Sequence, residues 1–161
     1  MARVVRAARI SDAARIADIY NEGMADRAAT FETEPRGADQ IAAWFDDGYP
    51  VFVAGEDDQV MAYAAAFPYR SRPCYDGVRE FSVYVARQGR GKGFGKQAMA
   101  ALLDDARARG WWKLVSRVFP ENAASRKLLG GLGFREVGIY EKHGRLDGRW
   151  HDVVIVEKLL I

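Results

Sequence analysis

A short segment near the middle of the chain alternates glycines with other residues, most of which are cationic. Between Gln88 and Lys96 the sequence contains four glycines and three cations, namely Gly89, Arg90, Gly91, Lys92, Gly93, Gly95 and Lys96. Glycines let backbone amides approach a ligand without Cβ obstruction. The helical pattern that follows would direct the positive end of its dipole at the same point. The segment therefore predicts a site for an anionic group such as a diphosphate.

The spacing of these glycines separates the classes of phosphate-binding loop. The loop of nucleoside triphosphatases requires G-x-x-x-x-G-K-[ST], but Arg90 and Gln97 occupy its first and last positions, so this class is excluded. The dinucleotide fingerprint fits loosely over residues 93–98. It also expects an acidic residue about 20 positions later, and residues 113–120 contain none. Neither nucleotide class is favoured.

A carboxylate, Glu80, precedes the glycine segment at the start of a β-prone stretch. Placed beside a reacting amine, such a group could act as a general base. It could also form an ion pair with Arg79 or Arg87 at the end of a sheet, as exposed charges commonly do. Periodicity alone favours the ion pair and leaves the catalytic role open.

Composition excludes several other classes of protein. The 161 residues suit one domain spanning 1–161, and 24 basic against 22 acidic residues leave a net charge of only +2. The sequence contains no basic tract of the kind that indicates nucleic-acid binding, so no nucleic-acid partner is expected. The single cysteine, Cys74, excludes an internal disulfide, and with two histidines no zinc-ligand spacing exists, so no metal is expected. We expect a cytoplasmic protein with no membrane association, because neither a signal peptide nor a spanning apolar run is visible.

The hydrophobic pattern predicts an α/β (α+β) domain with a twisted, mainly antiparallel sheet of about seven strands and about four helices. The strands are predicted at 3–8, 51–55, 60–67, 80–86, 113–118, 134–140 and 152–159. The helices are predicted after a cap at 11–12 and at 37–45, 94–109 and 122–129. By strand alternation, Glu80, Ser82 and Tyr84 should share one face, with Phe81, Val83 and Val85 on the other.

Three stretches in the expected order resemble the GNAT superfamily of N-acetyltransferases. The motif Q-x-x-G-x-G at positions 88–93, after a strand and before a helix, is similar to its acetyl-coenzyme A signature. Residues 119–134 resemble its second cofactor segment, and residues 4–21 its first strand and helix. The resemblance implies the GNAT fold, acetyl-CoA as co-substrate, and a V-shaped opening between two central parallel strands.

The resemblance also implies roles for individual residues. Glu80 would be the general base, and the backbone near Val83 would pair with the pantetheine arm and polarise the thioester. The implied cofactor-binding residues are Val83, Tyr84, Val85, Gln88, Gly89, Arg90, Gly91, Lys92, Gly93, Phe94, Gly95, Lys96, Asn122 and Ser125. Asn122 could instead be only a helix N-cap. Many members carry on this second helix a Tyr that acts as the acid protonating the thiolate, but residues 128–130 here are Leu-Leu-Gly. Three alternatives therefore remain for this step: Ser125 as the acid, a water as the acid, or direct release of the thiolate.

Within the superfamily, the chain resembles the phosphinothricin N-acetyltransferase branch. The similar stretches are residues 19–21, 29–32, 66–76, 82–85 and 150–153. In this branch Arg70, Arg72 and Tyr75 would grip the acidic groups of a small amine substrate, and Phe31 would line the pocket. Arginine suits such oxygens because its planar fork binds them bidentately, although a solvated basic loop is the alternative.

The branch acetylates phosphinothricin, arsinothricin, and methionine sulfone or sulfoximine, and it is typically homodimeric. Residues 140–150 are longer than in the herbicide-resistance enzymes, so the arsinothricin type fits at least as well. Two further hypotheses remain: a protein or peptide N-acetyltransferase, and a non-catalytic coenzyme A-binding module.

Overall fold

A computed structural model describes residues 2–161, which form one seven-stranded mixed sheet covered by four α-helices. The strands β1 to β7 are Arg3–Ala7, Val51–Glu56, Gln59–Pro68, Val78–Val85, Lys113–Val118, Arg135–Leu146 and Arg149–Leu159. The helices α1 to α4 are Ala13–Ala25, Ala38–Asp46, Phe94–Ala108 and Ala123–Gly131. The fold class predicted from the sequence is confirmed.

The strand order is β1-β2-β3-β4-β5-β7-β6, and every neighbouring pair except β4 and β5 is antiparallel. Strands β4 and β5 are joined through α3, the kind of crossover that parallel neighbours require. They pair only from Val78 opposite Lys113 to Glu80 opposite Val115. Beyond Glu80 the ladder stops, so the two strands continue without a shared row of hydrogen bonds.

The two faces of the sheet bury separate hydrophobic clusters. Helices α3 and α4 cover one face, where Phe81 is buried and Val83 and Val85 pack at the margin. Helices α1 and α2 cover the other face, which includes Tyr84. The alternation predicted for β4 is confirmed, because successive strand side chains point to opposite faces.

The last hairpin differs most from the prediction. Its strands were expected at 134–140 and 152–159, but they extend to Leu146 and from Arg149, around a turn in which Asp147 and Gly148 have φ of 51° and 76°. A two-residue turn with positive φ at both positions matches the twist of a hairpin. Most of β6 is exposed at the sheet edge, so the extension has no alternating hydrophobic pattern.

The start of α1 also differs. A 3-10 turn, Ile10–Asp12, precedes the helix, and the Asp12 carboxylate accepts from the Arg9 amide and the Arg6 guanidinium instead of capping helix amides. No helix within residues 2–161 combines the length and apolar character needed to cross a membrane.

Candidate active site

Two adjoining cavities lie where β4 and β5 separate. The smaller, of about 60 Å³, runs between residues 82–84 of β4 and the start of α4. The larger, of about 510 Å³, is bounded by the same two strands, by β6 and β7, and by the connection between α1 and α2. Ala29, Ser116, Arg117 and Phe119 line both. The hydroxyl of Ser116 donates to the Phe81 carbonyl at 2.8 Å, at the point of separation.

Glu80 is the last β4 residue in the parallel ladder, and its side chain lines the larger cavity. The side chain is 37% exposed, and its Oε1 lies 3.8 Å from Nη2 of Arg117 on β5. The alternative predicted from the sequence, an ion pair with Arg79 or Arg87, is wrong. Arg79 stacks on the Trp111 ring, and Arg87 pairs with Asp26.

The glycine segment is shaped by backbone angles that favour glycine. A 3-10 turn, Arg87–Gly89, leads into Gly91 and Gly93, whose φ values are 77° and 86°, and Gly93 is the N-cap residue of α3. Side-chain-bearing residues avoid this region because their Cβ approaches the backbone. The segment thus presents the N-terminal amides of α3 beside two residues without Cβ atoms, which is an arrangement suited to an anion.

The other two glycines have a different cause. A Cβ at Gly95 would lie 2.8 Å from both Leu128 Cδ1 and Val85 Cγ2, and one at Gly89 would lie 3.0 Å from Met61 Cβ. These positions keep the segment and α3 packed closely against the sheet and α4. Phe94 is buried, with the Arg3 guanidinium 4.3 Å above its ring. Only the backbone of Phe94 is therefore available to a ligand.

Arg87, just before the segment, and the three cations within it divide into two pairs. Nη2 of Arg87 and Nη2 of Arg90 each lie 2.8 Å from an oxygen of Asp26, at the end of α1. The hydrogen bond from Arg87 and, to a smaller extent, the one from Arg90 lower the pKa of Asp26 to about 2. Lys92 and Lys96 form no ion pair within residues 2–161, so their charges are available to an external anion.

Residues 83–85 lie on the part of β4 beyond the ladder, and Val83 and Tyr84 line the smaller cavity. Asn122 and Ser125 line it from the opposite side. Oδ1 of Asn122 accepts from the Ser125 amide at 3.1 Å, so Asn122 is the N-cap of α4. Its Nδ2 donates to the Ala28 carbonyl at 3.2 Å, which joins α4 to the connection between α1 and α2.

The residues predicted to hold an amine substrate converge on the larger cavity with one exception. Phe31, Arg70 and Tyr75 line it together with Glu80, whereas Arg72 is outside its lining. Phe31 packs edge-on against Phe119 at 5.0 Å between ring centroids. Added atoms at Gly144 would lie 2.9 Å from the Phe31 ring, so the long final hairpin supports this wall of the cavity.

Five cavity residues were not among the site residues predicted from the sequence: Tyr69, Lys113, Arg117, Tyr140 and His143. A signal existed for two of them. Once β5 is parallel to β4, alternation places Lys113, Val115 and Arg117 on one face beside Glu80. The sequence offered no equivalent signal for Tyr140 and His143, because their strand is irregular between Tyr140 and Gly144.

Comparison with known proteins gives a consistent family. The profile of the acetyltransferase (GNAT) family matches residues 15–134. The L-amino acid N-acyltransferase MnaT of Escherichia coli K12 is 36% identical over 160 residues, covering 95% of this chain and 91% of that protein. The L-methionine sulfoximine/L-methionine sulfone acetyltransferase of Pseudomonas aeruginosa PAO1 is 35% identical over 162 residues, covering 98% and 94%.

A solved structure agrees with these relatives. The GNAT superfamily phosphinothricin acetyltransferase of Sinorhizobium meliloti, in complex with acetyl-CoA, superposes with a TM-score of 0.90 at 30% identity, covering 99% of this chain and 89% of that one. The family profile spans most of the chain, and the relatives extend over nearly all of it. The chain therefore belongs to the acetyltransferase (GNAT) family and is an acyltransferase.

Proposed function

We propose that the protein transfers an acetyl group from acetyl-CoA to the α-amine of a small acidic amino-acid-like compound, with Glu80 as general base. The acceptor class is that of phosphinothricin, arsinothricin, and methionine sulfone or sulfoximine. The main support is one observation: Glu80, Arg70 and Tyr75 line the same cavity, and Glu80 is the last β4 residue before β4 and β5 separate. The names of the relatives from P. aeruginosa and S. meliloti agree with this class.

The shape and charge of the cleft suit acetyl-CoA. The amides around Gly91 and Gly93, at the start of α3, would hold the diphosphate with the charges of Lys92 and Lys96. The unpaired edge of β4 at 83–85 would hold the pantetheine arm, with Asn122 and Ser125 on the other side. The remaining proposed contacts come from the same segment: Gln88, Gly89, Arg90, Phe94 and Gly95.

The reaction needs a neutral amine at the thioester carbon. Glu80 would accept a proton from the acceptor's ammonium group. The amine nitrogen then forms a bond to the acetyl carbon while the carbon–sulfur bond breaks, and the second proton lost from the nitrogen passes to the departing sulfur or to water. The amide near Val83 would stabilise negative charge on the carbonyl oxygen. Coenzyme A leaves as the thiol or thiolate.

The acceptor would be selected by its acidic groups. Arg70 and Tyr75 project toward the cavity from the loop after β3, and Arg72 lies in the same loop. Arginine binds carboxylate, phosphinate or sulfone oxygens through its fork of donors. Phe31 would cover the aliphatic part of the acceptor. The volume of about 510 Å³ is in the range of small-molecule sites.

We also propose that the protein is a homodimer that pairs through the outer face of the final hairpin. Strand β6 is an edge strand. Ile139 on it is 58% exposed, and Trp150 on β7 is 54% exposed. Exposed large apolar side chains on an unpaired edge strand and on the strand beside it favour association with another chain.

A thiol-release assay tests the proposal. Purified protein and acetyl-CoA are incubated with phosphinothricin, arsinothricin, methionine sulfone, a short peptide or a polyamine. We expect release of coenzyme A with at least one of the acidic amino acids at a kcat/KM at least about tenfold above that with the peptide or polyamine. Faster turnover of the peptide would favour a peptide acetyltransferase, and no turnover with bound acetyl-CoA would favour a binding module.

A further inference from the structure

The end of α1 is tied to the glycine segment by a carboxylate that the family motifs do not include. Oδ1 of Asp26 accepts from Nη2 of Arg87 at 2.8 Å and from its Nε at 3.2 Å. Oδ2 of the same group accepts from Nη2 of Arg90 at 2.8 Å. One side chain, at the residue that follows α1, thus contacts two arginines, one just before the glycine segment and one within it. Arg87 also lies 3.9 Å from the Glu22 carboxylate of α1.

The residues directly after Asp26 contact the other parts of the site. Arg27 donates to Asp147 in the turn of the final hairpin at 2.8 Å. The Ala28 carbonyl accepts from Asn122 of α4. Ala29 lines both cavities, and residues 30–31 line the larger one. Residues 27–31, here called the connecting segment, therefore touch both the proposed cofactor cleft and the proposed acceptor cavity.

The connecting segment has little structure of its own. It belongs to no helix or strand, and Arg27 has a φ of 57°, in the left-handed region. Within residues 2–161, the amides of residues 28–31 are not hydrogen-bonded to protein groups. Segments with few backbone hydrogen bonds open at low free energy, so their order depends on the contacts at their ends.

We propose that Asp26 is a positioning residue that couples occupation of the glycine segment to ordering of the connecting segment, and hence of one wall of the acceptor cavity. The inference deepens the proposed function and rests on it. A diphosphate held by the glycine segment immobilises Arg90, which in turn immobilises Asp26 and the residues that follow it. The coupling is reciprocal, so an ordered connecting segment also favours cofactor binding.

The charge state of Asp26 favours its contacts with Arg87 and Arg90. The two arginines keep the pKa of Asp26 at about 2, so the carboxylate stays ionised at neutral pH. Asp26 also bonds through its backbone to the last turn of α1, which anchors it to a helix rather than to a loop.

Hydrogen exchange read by mass spectrometry tests the inference, with coenzyme A as the ligand because it binds without turnover. In the wild-type protein we expect coenzyme A to slow exchange at least about fivefold both in residues 88–96 and in the connecting segment. In Asp26→Asn we expect the same slowing in residues 88–96 but less than about twofold in the connecting segment. Asp105→Asn is the matched control, since Asp105 pairs with Arg109 at the opposite end of α3 and should behave as wild type.

Each other outcome overturns the inference in a distinguishable way. Slowing in residues 88–96 alone in wild type overturns the inference and leaves the proposed function intact. Equal slowing in wild type and Asp26→Asn has the same meaning. Coenzyme A that slows exchange nowhere contradicts the proposed function, and the inference falls with it. Arg90→Gln removes the contact that carries the coupling from the other side, so it should reproduce the Asp26→Asn pattern even if that variant folds poorly.

Discussion

Nη2 of Arg117 lies 3.8 Å from Oε1 of Glu80, across the two parallel strands at the last residue of their shared ladder. Both side chains are more than a third exposed, so the ion pair contributes under about 1 kcal/mol. A partner held this weakly can be exchanged. The ammonium group of an acceptor could therefore replace Arg117 beside the carboxylate, which is what a general base at this position requires.

The glycine segment gives a prediction with an internal control. Gly91 and Gly110 have φ values of 77° and 80°, and a Cβ at either would meet nothing within 4 Å. Alanine at either position should cost about 1–2 kcal/mol of folding free energy through backbone strain. Only Gly91→Ala should also raise the calorimetric Kd for coenzyme A, by at least about tenfold, or about 1.4 kcal/mol. Equal Kd values for the two variants would argue against an anion site at Gly91.

The arginines of the loop after β3 should act on the acceptor alone. Arg70→Ala should raise the KM for an acidic acceptor about tenfold or more, since a charged hydrogen bond is worth about 1.5–3 kcal/mol. Arg72→Ala should have a smaller effect, because Arg72 lies outside the cavity lining. The KM for acetyl-CoA should stay unchanged. Arg149→Ala, an exposed arginine at the start of β7, is the control. Steady-state kinetics with both substrates varied would reveal an equal effect on acetyl-CoA, which would contradict the assignment.

Much of the fold was predictable because local patterns and tertiary demands agreed. The buried residues of α3 recur at helical spacing, and the short turn at Asp57 and Asp58 separates two strongly β-prone runs. The strands of the final hairpin were predicted too short, because there no tertiary demand shapes the local pattern. Its outer strand is exposed at the sheet edge, where no buried face imposes a period of two.

The candidate site was likewise predictable in part. The glycine segment lies in one stretch of sequence, so its backbone shape could be predicted from residue types alone. Contacts between distant elements could not be predicted. Sequence gave no reason to join Asp26 to Arg90, or Glu80 to Arg117, because these pairs depend on where α1 ends and on the register of β5.

A partly buried ion pair between Arg6 on β1 and Asp12 predicts a dependence of protein stability on pH. Hydrogen bonds from Arg6 lower the pKa of Asp12, against the opposing effect of burial. A depressed carboxyl pKa stabilises the fold above the unfolded value of about 3.9, and this stabilisation is lost as pH falls through the folded value. Asp12→Asn should therefore lower Tm by about 3–8 °C at pH 7. The gap should narrow in thermal melts below about pH 4; a constant gap would contradict this role.

The outer face of the final hairpin predicts the state of association. Ile139→Glu places a charge on the exposed face of β6 and should convert a dimer to a monomer in analytical ultracentrifugation. Val4→Glu is the control, because Val4 is similarly exposed on β1 at the opposite edge of the sheet. A wild-type monomer, or a dimer that survives Ile139→Glu and not Val4→Glu, would exclude this interface.

If Glu80 serves as the base for acetyl transfer, coenzyme A release by Glu80→Gln should reveal it. Steady-state assays with methionine sulfone should show kcat reduced about 100-fold to 10,000-fold, while calorimetry shows an unchanged Kd for acetyl-CoA. Glu136→Gln, which removes an exposed carboxylate paired with Arg126, should keep kcat within about twofold. A Glu80→Gln enzyme that turns over as fast as wild type would show that Glu80 is not the base.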